Sequence, residues 1–422
     1  MRPLRLGQVG CGRMGLRHLY GQIELRRQGF DTFDLVALCD LHESAAGHVA
    51  GEAEEAFGTR PRTYTSFETM LERERLDAID IVTDTQTHHT YALEAFDAGA
   101  HVAIEKPMAL TVRACRKVVD GARKAGRTLS ISENYRRDPM NRLTHALIQG
   151  GAIGEPRMMI NMAVGGGGDR RVVTAWRSLK LRSGGPVLEQ GVHTADLILY
   201  FMGDVQRVSA ETHLWDKRLY ATQEPGLMSG TYAHRVPEDM DVQESFEPTA
   251  EDTAFAVLRF TSGAMGQLAM TSAAGDGSRT NVIYGSEGAI TMPPSRTGAP
   301  VQVGPSGSNK ALVGEDALAL APDFELDELT CRFFGGKRRL PSYDMTSEEI
   351  DRKLIAIELQ DFADAISDSR EPEVTGEAGL RAVALSYAIL ESGHMGRTVA
   401  FGDVAEDRIS SYQVEINAAM GL

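Results

Sequence analysis

Six residues near the start, Gly10-Cys11-Gly12-Arg13-Met14-Gly15, limit what this chain can fold into more than any other feature. They follow a short apolar run, Leu4–Val9. They open a stretch in which Met14, Leu16, Leu19, Ile23 and Leu25 recur at helical spacing. A strand that ends in glycines and passes straight into a helix brings backbone close to an anion. Gly10 permits the tight turn, and Gly12 lets the chain approach a pyrophosphate. Gly15 lets helix and strand pack, and the helix N-terminus favours negative charge. The pattern predicts dinucleotide binding through Gly10, Gly12, Arg13, Met14 and Gly15. A ligand-free glycine turn is the plainer alternative; the strand before it and the helix after it weigh against that.

The first third repeats this alternation. Apolar runs at 35–39, 78–83, 101–104 and 128–132 predict further strands, separated by helix-prone stretches at 44–57, 67–72, 91–98 and 114–125. Short apolar strands alternating with helices predict an α/β fold with a Rossmann-like doubly wound parallel sheet. Asp40 closes the second strand, where a carboxylate accepts hydrogen bonds from both ribose hydroxyls and repels a 2′-phosphate. Leu41 and His42 follow, with no arginine for such a phosphate, so NAD is expected and NADP less so. The alternative for Asp40 is a helix N-cap.

The pattern changes after residue 133, which divides the chain into a nucleotide-binding part, 1–133, and a second part, 134–422. At 422 residues the length agrees with two domains. Beyond the boundary a helix is expected at 140–149 and a long strand at Pro156–Val164, then a glycine loop at 165–168. Antiparallel strands are expected at 206–215, 254–260, 264–271 and 281–285. The segment 293–309 reads as a loop, 350–367 and 379–393 as helices, and the tail after 403 as an arm or partner contact.

Charge and cysteine usage exclude several classes. Lysine plus arginine number 44 against 59 acidic residues, a net charge of -15, which disfavours nucleic acid and anionic membranes as partners. The four cysteines, Cys11, Cys39, Cys115 and Cys331, are scattered and form no metal or disulfide spacing. No apolar stretch approaches the ~20 residues of a spanning helix, and no signal peptide is evident. A soluble cytoplasmic protein without a structural metal is expected.

The fourth strand runs into Glu105-Lys106-Pro107. The stretch Ala100-His101-Val102-Ala103-Ile104-Glu105-Lys106-Pro107 resembles the (A)GxHVxxEKP signature of the glucose-fructose oxidoreductase/inositol dehydrogenase/MocA (Gfo/Idh/MocA) family. The N-terminal GxGxxG, the Thr83 to His88 segment, Asn134-Tyr135-Arg136, and Gly184-Gly185 followed by Gly191-Val192-His193 agree in order. Glu251-Asp252-Thr253 and Gly285-Ser286-Glu287-Gly288 look like its later landmarks. The resemblance implies a Rossmann domain followed by an α/β domain with a large open, mostly antiparallel sheet. It also implies that Lys106 and His193 serve the chemistry, and that Thr83, His88 and Glu105 lie at the cofactor.

Elementary chemistry agrees with those roles. Oxidising an alcohol needs a hydride acceptor, a base for the hydroxyl proton, and a positive donor for the developing alkoxide. Lys106 ends a parallel strand, where open α/β sheets bind ligands, although a surface-turn lysine is the plainer alternative. A helix is predicted over 186–202 with Glu189, His193, Asp196 and Tyr200 on one face. An imidazole one turn from a carboxylate is a candidate general base, against the commoner structural histidine. Glu189 stands where the family commonly has aspartate, and its extra methylene moves the carboxylate by about 1.5 Å. It is therefore assigned to holding substrate or orienting His193, not to the aspartate's role unchanged. Asp84 is a second departure, where proline often follows the threonine. Tyr135, Trp176 and Arg177 are assigned to substrate, because an aromatic face beside a polar donor suits a carbohydrate. Arg136, Arg137, Arg170 and Arg171 are read as solvated or ion-paired.

These readings predict an NAD-dependent oxidoreductase acting on a hydroxyl-bearing carbon of a sugar, glycoside or cyclitol. One alternative recycles NAD through a keto-sugar intermediate and cleaves a glycosidic bond. Another is a non-enzymatic NAD-binding sensor, which would be expected to lose Lys106 or His193. An open sheet needs cover on both faces, so a homodimer or homotetramer is expected.

Overall fold

Strands buried on both faces suit a parallel sheet, and such strands, joined by one exposed edge strand, form a six-stranded parallel sheet here. They are β1 (Leu4–Val9), β2 (Phe33–Cys39), β3 (Arg62–Tyr64), β4 (Ala78–Ile81), β5 (His101–Glu105) and β6 (Leu129–Ser132). Their order is β3-β2-β1-β4-β5-β6, and every pairing is parallel. The helices between them are α1 (Arg13–Arg27), α2 (Glu43–Phe57), α3 (Phe67–Arg73), α4 (His88–Asp97) and α5 (Val112–Ala125). This computed structural model describes residues 2–165, 171–172, 174–221, 245–308 and 310–422, the side chains of Arg171 and Ala221 excepted.

The strand order reverses between β1 and β4, which opens a crevice at the carboxyl ends of the strands. Gly10 follows β1, Asp40 follows β2, Thr83 lies just past β4, Lys106 follows β5 and Glu133 follows β6. One edge of the sheet thus collects all five. The sequence reading missed β3, an edge strand of three residues with no buried side chain and hence no apolar signal.

The second sheet has nine strands. In order they are Leu312–Val313, Gln302–Pro305, Gly288–Thr291, Ser278–Gly285, Pro156–Val164, Met265–Thr271, Thr253–Phe260, Val205–His213 and Val399–Ala400. All pairings are antiparallel except that of Pro156–Val164 with Met265–Thr271. Gln302–Pro305 corrects the expected loop at 293–309. Its Gly and Pro carry no strand pattern, but pairing with Gly288–Thr291 fixes it at the sheet's edge.

The Gly376–Met395 helix packs on Val205–His213 of this sheet and on the Gly191–Met202 helix. In Thr253–Phe260 the residues Ala254, Ala256, Leu258 and Phe260 are buried, whereas Phe255 and Val257 are exposed. The Ser347–Asp368 helix, closed by a capping box of Thr346 and Glu349, packs on α1 of the first sheet. A Cβ on Gly21 of α1 would lie 2.5 Å from Ile355, so the missing side chain lets the two helices meet. Next to it, the Ile131 N–H of β6 donates to the Val374 carbonyl at 3.0 Å. Residues 347–395 therefore join the second half to the first.

The tail is not a free arm. It forms helices Phe401–Ala405 and Val414–Ala419 and binds both halves of its own chain. The Val112 N–H donates to Gln413 Oε1 at 2.9 Å, and the Thr111 hydroxyl to Asn417 Oδ1 at 2.7 Å. On the other side Lys180 pairs with Glu415 at 3.5 Å and sits 3.9 Å from the Tyr412 ring centre. Among the described residues no helix is long and apolar enough to cross a membrane. All four cysteines are free.

Candidate active site

The turn after β1 has no room for side chains. Gly10 has a φ of 96°, and a Cβ there would stand 2.6 Å from the Val82 carbonyl oxygen. A Cβ on Gly15 would stand 2.1 Å from the Gly10 oxygen. Helix α1 starts at Gly12, which caps it with no side chain, and its first turn holds no acidic residue. A helix N-terminus with neither a capping side chain nor an acidic first turn suits an external anion. Asp40 Oδ2 accepts the Cys11 N–H at 2.7 Å and Oδ1 accepts the His42 N–H at 2.9 Å. Each oxygen keeps a lone pair for a ribose hydroxyl. These residues fit NAD.

Two further residues of the nucleotide half support the site from beneath. His88 is buried, with Nδ1 2.9 Å from the Pro107 carbonyl and Nε2 3.2 Å from the Thr83 carbonyl. Burial pushes its pKa down; the neutral ring has one N–H and donates to one of these two carbonyls. The Lys106–Pro107 bond in that turn is cis. Glu105 is buried and lies 3.2 Å from His18 Nε2, whose Nδ1 lies 2.9 Å from Asp80. Burial opposes charge on His18, but Asp80 and Glu105 outweigh it and raise the pKa well above the ordinary value. Asp84, the departure from the family's proline, pairs with Arg182 of the second half at 2.7 Å.

A cleft of about 590 Å³ lies between the halves. Met14, Thr83, Glu105 and Lys106 line it from the nucleotide side, and Tyr135, Trp176, Arg177, Glu189 and His193 from the other. Lys106 Nζ donates to the Glu189 carbonyl at 3.2 Å and to Glu189 Oε1 at 3.3 Å. Arg177 approaches the same Oε1 at 3.5 Å. Burial pushes the Glu189 carboxyl up, but Lys106 and Arg177 outweigh it and hold it at about 2. Glu189 is therefore an anion shared by two cations.

His193 has a different partner from the one its spacing suggested. Its Nδ1 lies 2.7 Å and 2.9 Å from the two oxygens of Glu133, and its ring stacks on Tyr135 with centres 4.0 Å apart. The expected single helix over 186–202 is two, Pro186–Glu189 and Gly191–Met202, parted at Gln190 before a poor helix former. Asp196 is taken by Arg136, which also lies over the Tyr200 ring at 5.2 Å. Arg137 is fully buried between Asp361 and Glu373 at 2.9 Å each. Residues 166–170, which include most of the expected glycine loop and Arg170, lie outside the described residues, as does the Arg171 side chain.

Residues 4–133 match the oxidoreductase family with an NAD-binding Rossmann fold, and residues 142–291 match the GFO/IDH/MocA C-terminal domain. The chain belongs to the GFO/IDH/MocA oxidoreductase family. As a member it is similar to D-apiose dehydrogenase of Paraburkholderia graminis, 31% identical over 207 residues, 48% of this chain and 51% of that one. It is also similar to glycosyl hydrolase family 109 protein 2 of Bacteroides fragilis, 33% identical over 155 residues, 36% of this chain and 35% of that one. The chain thus spans about half the length of the first relative and about a third of the second. In fold it resembles levoglucosan dehydrogenase in complex with NADH, with a TM-score of 0.73 at 21% identity, over 94% of this chain and 99% of that one.

The sequence reading of this family member missed Glu133, Arg296 and His18. Glu133 is the first residue after β6, so the rule that placed Lys106 at a strand's carboxyl end also points to it. Arg296 sits in the segment read as a loop, and its φ of 63° places it in the left-handed region. It lies 5.8 Å from the Tyr135 ring centre and shares Asp351 with Arg17. No local pattern signals such a position.

Proposed function

We propose that this NAD-binding oxidoreductase oxidises a hydroxyl-bearing carbon of a sugar, glycoside or cyclitol, with residues 1–133 holding the cofactor and 134–422 the substrate side. The observation that carries the reading is that Lys106 and His193, from different halves, line one cleft. Bound NAD supplies the hydride acceptor. An ammonium has three N–H donors, and Glu189 takes two from Lys106, which leaves one for the substrate oxygen. His193 takes the hydroxyl proton. Tyr135 and Trp176 offer flat apolar faces to ring CH groups, and Arg177 offers donors to hydroxyls.

The test adds NAD and a panel of sugars and cyclitols and follows reduced cofactor by absorbance. Lys106→Ala and His193→Asn should each lower turnover by roughly 100-fold or more while NAD still binds. Undiminished turnover in both rules the assignment out. A second reading, redox-neutral glycoside cleavage with NAD recycled, is favoured by the likeness to the family 109 glycosyl hydrolase. Cleaved product without net cofactor reduction marks that reading.

The uncovered face of the nine-stranded sheet supports a homodimer or homotetramer. Phe255, Val257, Met265, Met158 and Tyr284 are exposed there, and the register places Met158 beside both Met265 and Tyr284. Phe255→Asp with Val257→Asp should give a monomer by light scattering; a monomeric wild type refutes the proposal. Four free cysteines support a cytoplasmic setting, which cell fractionation checks.

A further inference from the structure

We infer that Glu133 is the positioning residue for His193: it fixes which ring nitrogen carries the proton and stabilises the imidazolium once the substrate proton arrives. The inference rests on His193 acting as the base, as proposed above. Its foundation is geometric. Glu133 is the first residue past β6, is 3% exposed, and places both carboxylate oxygens within 2.9 Å of His193 Nδ1. Oε1 also accepts the Tyr135 N–H at 3.0 Å, so the carboxylate is tied to the backbone of the segment whose ring stacks on the imidazole. The two rings lie within 8° of parallel, which fixes the imidazole plane.

The proton count then follows. An ionised carboxylate only accepts, so the ring nitrogen facing it must donate. Burial pushes the Glu133 carboxyl up, but His193, the Tyr135 N–H and Lys106 together outweigh it and keep it below the usual range, so Glu133 is the anion this step needs. With hydrogen on Nδ1, a neutral imidazole has its lone pair on Nε2. No hydrogen bond to Nε2 occurs among the described residues, and His193 lines the cleft. Nε2 is therefore the atom that receives the substrate's hydroxyl proton. The ring is then an imidazolium, and Glu133 faces its positive charge directly.

Glu189, the carboxylate one turn away, does not share this work. Lys106 and Arg177 hold it. Asp196, one turn further on, is held by Arg136. By direct contact the two carboxylates thus divide: Glu189 pairs with Lys106 and Arg177, and Glu133 with His193. Tyr135 gains a second role here, since its ring fixes the plane in which Nε2 points.

The test uses the full-length protein in two measurements. The first labels histidines with 15N, assigns His193 by its loss in His193→Asn, and reads the tautomer from two-bond nitrogen–proton correlations. Wild type should carry the proton on Nδ1, and Glu133→Gln should shift toward a mixture. The second is kinetic, with whichever sugar or cyclitol gives turnover. Glu133→Gln should lower kcat by about 100-fold with KM within about threefold, and Glu133→Asp should recover at least about tenfold of the loss. A wild-type proton on Nε2, or kcat in Glu133→Gln within about threefold of wild type, overturns the inference. If Glu133→Gln fails to fold, the wild-type tautomer and the Glu133→Asp kinetics still decide. The tautomer does not depend on turnover, so full activity in His193→Asn would sink the base assignment separately.

Discussion

Replacing Glu189 with glutamine keeps the side chain's shape and removes its charge, which isolates what the anion does between Lys106 and Arg177. Its carboxyl sits at about 2 in the folded chain against an ordinary 4.5. At about 1.4 kcal/mol per pH unit, that difference is worth roughly 3 kcal/mol of preference for the charged form. The group is almost fully buried, so solvent screening takes little from this figure. Unfolding entropy of ~2 cal/mol/K per residue turns it into a fall in Tm of about 3 to 4 °C at pH 7. The pH dependence has a definite sign. A carboxyl depressed by folding stabilises above its unfolded pKa and loses that contribution as pH falls through the folded value. The gap between wild type and Glu189→Gln should be full above about pH 5, roughly halved by pH 3.5, and closed near pH 2. Calorimetry of both proteins from pH 7 to pH 3.5 measures it. Equal Tm values at pH 7, or a gap that widens as pH falls, would refute the ionised triad.

Two more outcomes test the nucleotide end. Gly15→Ala drives a Cβ to 2.1 Å from the Gly10 oxygen, so it should abolish NAD binding in a fluorescence titration and lower the melting temperature; unchanged binding would mean that the turn opens freely. Asp40→Ala removes the carboxylate that accepts from Cys11 and His42, and calorimetric titration should show NAD affinity falling by about tenfold or more, with NADP gaining relative to NAD.

The nucleotide half was legible because its signals are local. A glycine turn, an apolar strand and an acidic strand end are each contained within a few residues. Lys106 was singled out by an equally local signal, the Glu105-Lys106-Pro107 string at the end of β5. What escaped depended on distance along the chain. His193 and Glu133 are 60 residues apart, and the i, i+4 rule named the nearer carboxylate, Glu189. Helix spacing says which side chains share a face, but here two cations, Lys106 and Arg177, take Glu189 and leave the histidine to a strand end. β3 and Gln302–Pro305 were missed because strand pairing, not side-chain pattern, makes them strands.

The tail has a practical reach beyond its own two small helices. Because Gln413 and Asn417 hold the start of α5 while Glu415 and Tyr412 hold Lys180, residues 401–422 act as a tether across the seam between the two halves. Trimming this stretch should loosen the spacing between the two halves and disturb Arg182, Glu189 and His193 without touching any of them.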